Sequence, residues 1–301
     1  MFGRIVKFIS SLRTESVLSE KKKNHIKMRI IWTKLAIIGV GIVSGFTPLV
    51  SLAEPLPIPG QNESDWRYSL TPYAFLPART SGTSTISGTT VPLEMDLGDA
   101  LELLDYALAA TFEMWRGDLG FIVDGNYVQL SLDESLPDPF PPDSTFALDI
   151  RQKWLGVLAA YRVVDSTYGA RNQRVSVDLQ GGIRYNSLRQ TVDIIAGGDP
   201  QPQLGGDEGW FEPVIGARVM WRLNEKWAAD IALDLGGFGA GGNDLQVGLN
   251  ACFDFRLWEK NSLRFGYRYY SMDYSTTLAT GPFAYDVSQH GPYLGVTFRF
   301  Q

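Results

Sequence analysis

The chain is poor in the residues that make compact chemistry easy. It carries one cysteine, Cys252, and two histidines in 301 residues. A single thiol excludes an internal disulfide framework. A metal centre of the zinc type needs several Cys or His ligands gathered together, and the sequence has no such cluster. Long apolar runs are scarce too: only one stretch approaches the length of a membrane-spanning helix. No internal repeat stands out, and no linker divides the chain into separate domains.

That one stretch reads KLAIIGVGIVSGFTPLVSLAEP from Lys34. Lys21, Lys22, Lys23, Lys27, Arg29 and Lys34 supply a basic start, Leu35 to Val50 an apolar centre, and Ser51-Leu52-Ala53 the small residues of a cleavage site. This is the layout of a secretory signal, cleaved after Ala53. Gly39, Gly41, Gly45 and Pro48 within the apolar centre argue against a permanent anchor. Residues 1–53 are therefore expected to be a signal peptide with an N-terminal extension, Met28 being an ordinary start for the signal. Residues 54–301 form the mature body, with no cysteine placed to take a lipid. That body holds 18 basic and 31 acidic residues. So acidic a chain is unsuited to nucleic acid, and none is expected as a partner.

The mature sequence has a period of two. In RVSVDLQGGIRYN, Val175, Val177, Leu179, Gly181, Ile183 and Tyr185 oppose Ser176, Asp178, Gln180, Gly182, Arg184 and Asn186. The segments 214–223, 227–236, 245–257 and 263–270 repeat the pattern. Across these five segments the apolar faces hold 27 positions without a charge, whereas 10 of the 26 opposite positions are Asp or Arg. Alternation alone fits either a soluble sandwich or a membrane barrel. Three features favour the barrel. The strands are long enough for a tilted span of about 9 to 11 residues. Glycines share the charged face, as a narrow polar lumen permits. Tight turns at Gly117-Asp118, Asn224 to Lys226 and Trp258 to Ser262 alternate with longer, Gly/Pro/Asp/Ser-rich connections.

The expected fold is therefore all-β: a transmembrane, antiparallel up-and-down barrel of about ten strands. They fall near 66–77, 105–116, 119–132, 145–163, 174–192, 211–223, 227–238, 245–257, 263–275 and 284–300. The segment Ser84 to Asp105 reads as a Ser-Gly hairpin and a short helix near Leu97 to Leu104. A membrane-inserted hairpin there makes twelve strands, and two extramembrane strands leave eight. Aromatics mark the expected rims, Tyr161, Trp221, Trp227, Trp258 and Phe300 at one and Tyr106, Tyr127, Tyr185 and Tyr269 at the other.

The chain closes on LGVTFRFQ, with Leu294, Val296, Phe298 and Phe300 on one face and Tyr293, Gly295, Thr297 and Arg299 on the other. In this it resembles Gram-negative outer-membrane β-barrel proteins, whose last strand ends on an aromatic after alternating hydrophobics. The resemblance implies a bacterial outer-membrane address. It also implies that Leu294, Val296, Phe298 and Phe300 are read by the barrel-assembly machinery, and that outer-membrane lipid and lipopolysaccharide surround the protein. The family pattern ends on the aromatic itself, whereas this chain adds Gln301. WRYSLTPYAFLPA near the mature start resembles first strands of such barrels.

The lumen is expected to carry Asp178, Arg184, Arg218, Arg222, Asp230, Asp234, Asp254, Arg256, Arg264 and Arg268, with Glu113 and Asp124 from earlier strands. A three-residue turn after Leu223 sets Arg218 diagonal to Asp230 and Asp234, and a five-residue turn after Leu257 sets Arg264 and Arg268 on either side of Asp254. Such interleaving reads as an ion-paired core filling a narrow barrel. The competing reading is a charged constriction that selects solutes. Catalysis has little to stand on. His290 lies four residues after Asp286 and two after Ser288, but no nucleophile elbow surrounds the serine. Cys252 reads as a small filler. Acidic loops (Glu94, Asp96, Asp99, Glu102; Asp133, Glu134, Asp138, Asp143; Asp193, Asp199, Asp207, Glu208) read as solvated surface. No cofactor and no metal site is expected. The function expected is a non-enzymatic structural or binding barrel with acidic surface loops and a narrow ion-paired lumen, with a small-solute channel or transporter as the alternative and an omptin-like or lipid-modifying enzyme ranked behind both.

Overall fold

A computed structural model describes residues 65–300, apart from 137 and 139. The expected signal segment and the start at Met28 lie outside the described residues. The elements are β1 (Arg67–Phe75), β2 (Arg79–Ile86), β3 (Thr89–Asp96), α1 (Leu97–Leu103), β4 (Leu104–Arg116), β5 (Leu119–Ser135), β6 (Thr145–Tyr168), β7 (Gln173–Ala196), β8 (Asp199–Pro200), β9 (Leu204–Arg222), β10 (Trp227–Ala240), β11 (Asn243–Trp258), β12 (Asn261–Leu278) and β13 (Gly281–Phe300).

Ten of these strands form a closed antiparallel ring in the order β1, β4, β5, β6, β7, β9, β10, β11, β12, β13, and β13 returns to β1. Closure follows from the terminal residues: Tyr68 lies opposite Phe300, Leu70 opposite Phe298 and Ala74 opposite Leu294. The remaining long strands make a hairpin outside the ring. β2 continues the line of β1 along the upper half of β13, and β3 folds back on it through Ser87-Gly88. The helix α1 follows, its first turn closed by a reciprocal capping box between Asp96 and Asp99.

The outward set is apolar over a defined height. Leu179, Ile183, Ile215, Ile231, Leu233, Leu249, Phe253 and Leu294 are exposed, as are the rim aromatics Tyr106, Tyr161, Trp258, Tyr269 and Phe300. Trp227 packs in the same belt against Phe253, Phe255 and Phe265. From Trp221 to Phe211 on β9 the belt is about 25 Å tall, from ~3.3 Å per residue and a tilt of ~40°. That matches the apolar band of a membrane barrel.

Two expectations are revised, one about connections and one about the interior. At the end where β1 starts and β13 stops the turns are short, and the Asn224 side chain closes one by accepting from the backbone of Lys226 and Trp227. At the opposite end, however, β10–β11 and β12–β13 also turn on two residues, 241–242 and 279–280. The polar sequence there is carried by strands running on beyond the apolar belt, because paired backbone satisfies its own polar groups. The interior is also layered rather than polar throughout. The half nearer the start of β1 is ionic, whereas the far half buries Trp154, Leu188, Trp210, Tyr270, Met272, Tyr274, Phe283, Tyr285 and Val287. Above that sits a second apolar cluster of Ile86, Leu136, Phe146, Val192 and Ile194. These clusters occur because the inward side of the strand extensions is enclosed by the ring itself and needs a packed filling.

Candidate functional site: the interior of the barrel

The ionic layer is assembled from residues far apart in sequence. Arg218 on β9 reaches across to β4 and makes a paired contact with Glu113, at 2.8 and 2.9 Å, while also meeting Asp178 of β7 at 3.2 Å. Asp178 in turn receives a two-pronged contact from Arg162 of β6, at 2.8 and 3.2 Å. Arg264 bridges Asp230 at 2.7 Å and Asp254 at 2.8 Å. Arg184 meets Asp234 at 2.7 Å and lies 3.7 Å from Glu212. Guanidinium forks suit this task, since each can serve two carboxylates in fixed geometry.

Aromatic rings complete the layer. Trp115 is almost fully buried, lies flat over Gly120, and donates its indole N–H to Glu113 at 2.9 Å. A Cβ at Gly120 would lie 2.6 Å from that ring, so no larger residue fits beneath it. The guanidinium carbons of Arg162 and Arg218 stand 5.1 and 5.7 Å from the Trp115 ring. Higher up, Arg268 sits within 6 Å of four rings, those of Tyr73, Phe75, Trp154 and Tyr270. Asp124 accepts from Thr111 and Trp154 at 2.8 Å and from Tyr73 at 3.2 Å. Tyr73 and Arg268 thus form a floor between the ionic layer and the apolar half above it, joined by a 3.3 Å contact.

All ten charged residues anticipated for the lumen take the inward register; Arg264 meets Asp254 as expected, whereas Arg218 and Arg268 find other partners. The register Leu223 to Trp227 places Arg218 opposite Ala232 and diagonal to Asp230 and Asp234. Its side chain nevertheless turns the other way, to Glu113 and Asp178, where two carboxylates can be met at once. The turn after β11 is tighter than five residues, with Trp258 opposite Asn261. Arg264 therefore faces Asp254 directly, and Arg268 falls opposite Asn250, out of the Asp254 pair. Arg222 and Arg256 point inward nearer the short turns, at the level of Arg299 and Ser262. Sequence reasoning missed Arg162, Trp115, Tyr73 and Glu212. Arg162 was findable from the same alternation. Tyr73 and Glu212 were not, because their roles exist only across the lumen.

A cavity of about 180 Å³ remains among these groups, lined by Glu113, Asp124, Arg184, Asp230, Arg264 and Arg299 among others. Cys252 also lines this cavity, buried beside Tyr73, Ala109 and Tyr293. The other sequence candidates lie elsewhere. His290 shares a 2.6 Å hydrogen bond with the Tyr267 hydroxyl. The Ser288 hydroxyl meets Ser81, through its side chain at 3.2 Å and its carbonyl at 3.3 Å. Among the described residues no three His, Cys, Asp or Glu side chains gather as a metal site would require. Leu294, Val296, Phe298 and Phe300 form the outer face of β13.

No model of a protein family matches the chain, and no curated protein matches its sequence. Solved structures of similar shape include the attachment invasion locus protein Ail of Yersinia pestis, at 9% identity and a TM-score of 0.31, covering 78% of this chain and 99% of that one. The N-terminal β-barrel domain of Pseudomonas aeruginosa OprF matches at 11% identity and 0.30, covering 80% and 100%. The translocator domain of the autotransporter NalP from Neisseria meningitidis matches at 12% and 0.38, covering 93% and 98%.

Proposed function

We propose that this chain is an outer-membrane barrel with a plugged lumen, a non-enzymatic structural or binding protein rather than a conducting pore. The observation that carries this reading is the filling of the ring. Arg162, Arg184, Arg218 and Arg264 are tied to carboxylates in one layer, and packed aromatics occupy the layer above. A ten-strand ring is only a little wider than the eight-strand size whose interior side chains occupy. The address rests on the exposed apolar belt with its aromatic rims, which would be intolerable in water as one contiguous surface. The partners in this reading are outer-membrane lipid, lipopolysaccharide and the barrel-assembly machinery. The last would recognise Leu294, Val296, Phe298 and Phe300.

The hydrogen bonds of His290 to Tyr267 and of Ser288 to Ser81 favour a non-catalytic role, since they leave the serine with no base oriented toward it. Conductance in planar bilayers tests the reading. The purified protein should give no unitary steps, and steps altered by Arg218→Ala or Arg264→Ala would establish the small-solute channel instead.

A further inference from the structure

The barrel wall is not sealed all the way up. The ladder between β1 and β4 runs from Arg67 opposite Trp115 only as far as Pro72 opposite Ala110. Beyond that point β1 pairs only with β13, β4 pairs only with β5, and β3 pairs only with β2. No ladder joins β3 to β4. Pro72, with no N–H to donate, interrupts the β1–β13 ladder, where neither Thr71 nor Pro72 has a partner, and Pro77 falls in the break between β1 and β2. At that break the chain presses so closely on Gly291 that a Cβ there would lie 2.1 Å from the Leu76 carbonyl oxygen. The seam faces the upper half of the apolar belt. Its β4 edge carries Leu108 and Tyr106, 60% and 54% exposed on the outer face.

Behind the seam lies a cavity of about 100 Å³. Its outer part is walled by Phe75, Met95, Leu104 and Leu108, and α1 contributes Leu97, Ala100 and Leu101. Its inner part ends on amides and rings: Asn126, Gln152, Gln289, Trp154 and Tyr285. None of its lining residues is charged. The Asn126 Oδ1 atom is buried there without a hydrogen-bond partner. Such an acceptor is costly to leave unmet. The space is smaller than the ~150 Å³ apolar cavity that admits benzene, yet unlike that cavity it continues outward through a gap in the wall.

The geometry points to a lateral binding site for a neutral amphiphile with a single hydroxyl: the hydroxyl donates to Asn126, and the aliphatic body lies past Leu104 and Leu108 toward the bilayer. A charged head would meet no counter-charge in the lining, and a pure hydrocarbon would leave the Asn126 oxygen unsatisfied. This assignment rests on the reading that the wall faces lipid.

The probe is an aliphatic alcohol bearing a photoreactive diazirine, added to the full-length protein in vesicles, with labelled residues mapped by mass spectrometry. Labelling is expected on the inward positions Ala107, Ala109, Asn126 and Val128, displaced by 1-octanol and not by octane. Asn126→Leu should weaken that displacement about tenfold, the loss expected for one hydrogen bond to a buried acceptor. Ala109→Phe, which fills the cavity, should abolish inward labelling, with heat-modifiable gel migration confirming that each variant is folded. Labels confined to the outer belt, or octane competing as well as 1-octanol, would overturn the assignment. Failure of the membrane reading would appear separately, as a protein that remains dispersed in water without detergent.

Discussion

Arg218 shows what a single side chain does in this interior. It joins β9 to β4 and β7 through Glu113 and Asp178, and it lies over the Trp115 ring. Removing it leaves Glu113 with the indole N–H of Trp115 and no guanidinium bonded to it, whereas Asp178 keeps Arg162. Breaking one side of a buried ion pair costs about 3–5 kcal/mol. Arg218→Ala should lower stability by an amount of that order, read as a shift of the urea midpoint in vesicles. Replacing both partners, as Arg218→Met with Glu113→Gln, should recover much of the loss, since the cost comes chiefly from the orphaned charge. The inward direction of Arg218 was legible from alternation. Its partner was not, because Glu113 lies 105 positions away and meets it across the lumen.

At the scale of elements, the strands above the belt set the character of the exposed end. Asp273 on β12 stands directly opposite Asp286 on β13. Its carboxyl is held above the usual carboxylate range by burial, then by Asp286 and Asp244. A carboxylic acid whose folded value is raised stabilises the folded form while protonated, and this contribution is lost as pH rises through the raised value. The β12–β13 extension should therefore be firmer in mild acid than at neutral pH. Amide exchange of Asp273 to Asp286 would record the difference, and Asp273→Asn should flatten it. The element that sequence reading located best was the excursion between β1 and β4. Its Ser-Gly turn and helix were legible from turn and capping chemistry. That the hairpin joins β13 instead of entering the ring was not, since either placement satisfies the same local pattern.

For the whole molecule the decisive feature is closure. β13 pairs with β12 from Gly281 to Phe298 and with β1 over the terminal residues, so Leu294, Gly295 and Phe298 contribute to two ladders at once. Deleting residues 294–301 removes the seam that closes the ring and exposes two strand edges. The truncated chain should lose heat-modifiable migration and aggregate, whereas the intact chain should migrate as a compact species until heated. Closure also gives the lumen its filling. Opposed strands bring Arg and carboxylate together at separations of up to 105 residues, around a residual cavity of about 180 Å³.

Residue alternation determined that the chain forms long strands and which face of each is apolar, because a strand's two faces are fixed by a period of two, and it left the ring at about ten strands with eight or twelve open. Rim aromatics and tight turns were equally local. Tertiary structure decided which guanidinium meets which carboxylate, where the polar interior yields to packed rings, and where the wall stays unpaired. Those depend on stagger and closure between strands remote in sequence, and a one-dimensional pattern holds no record of either.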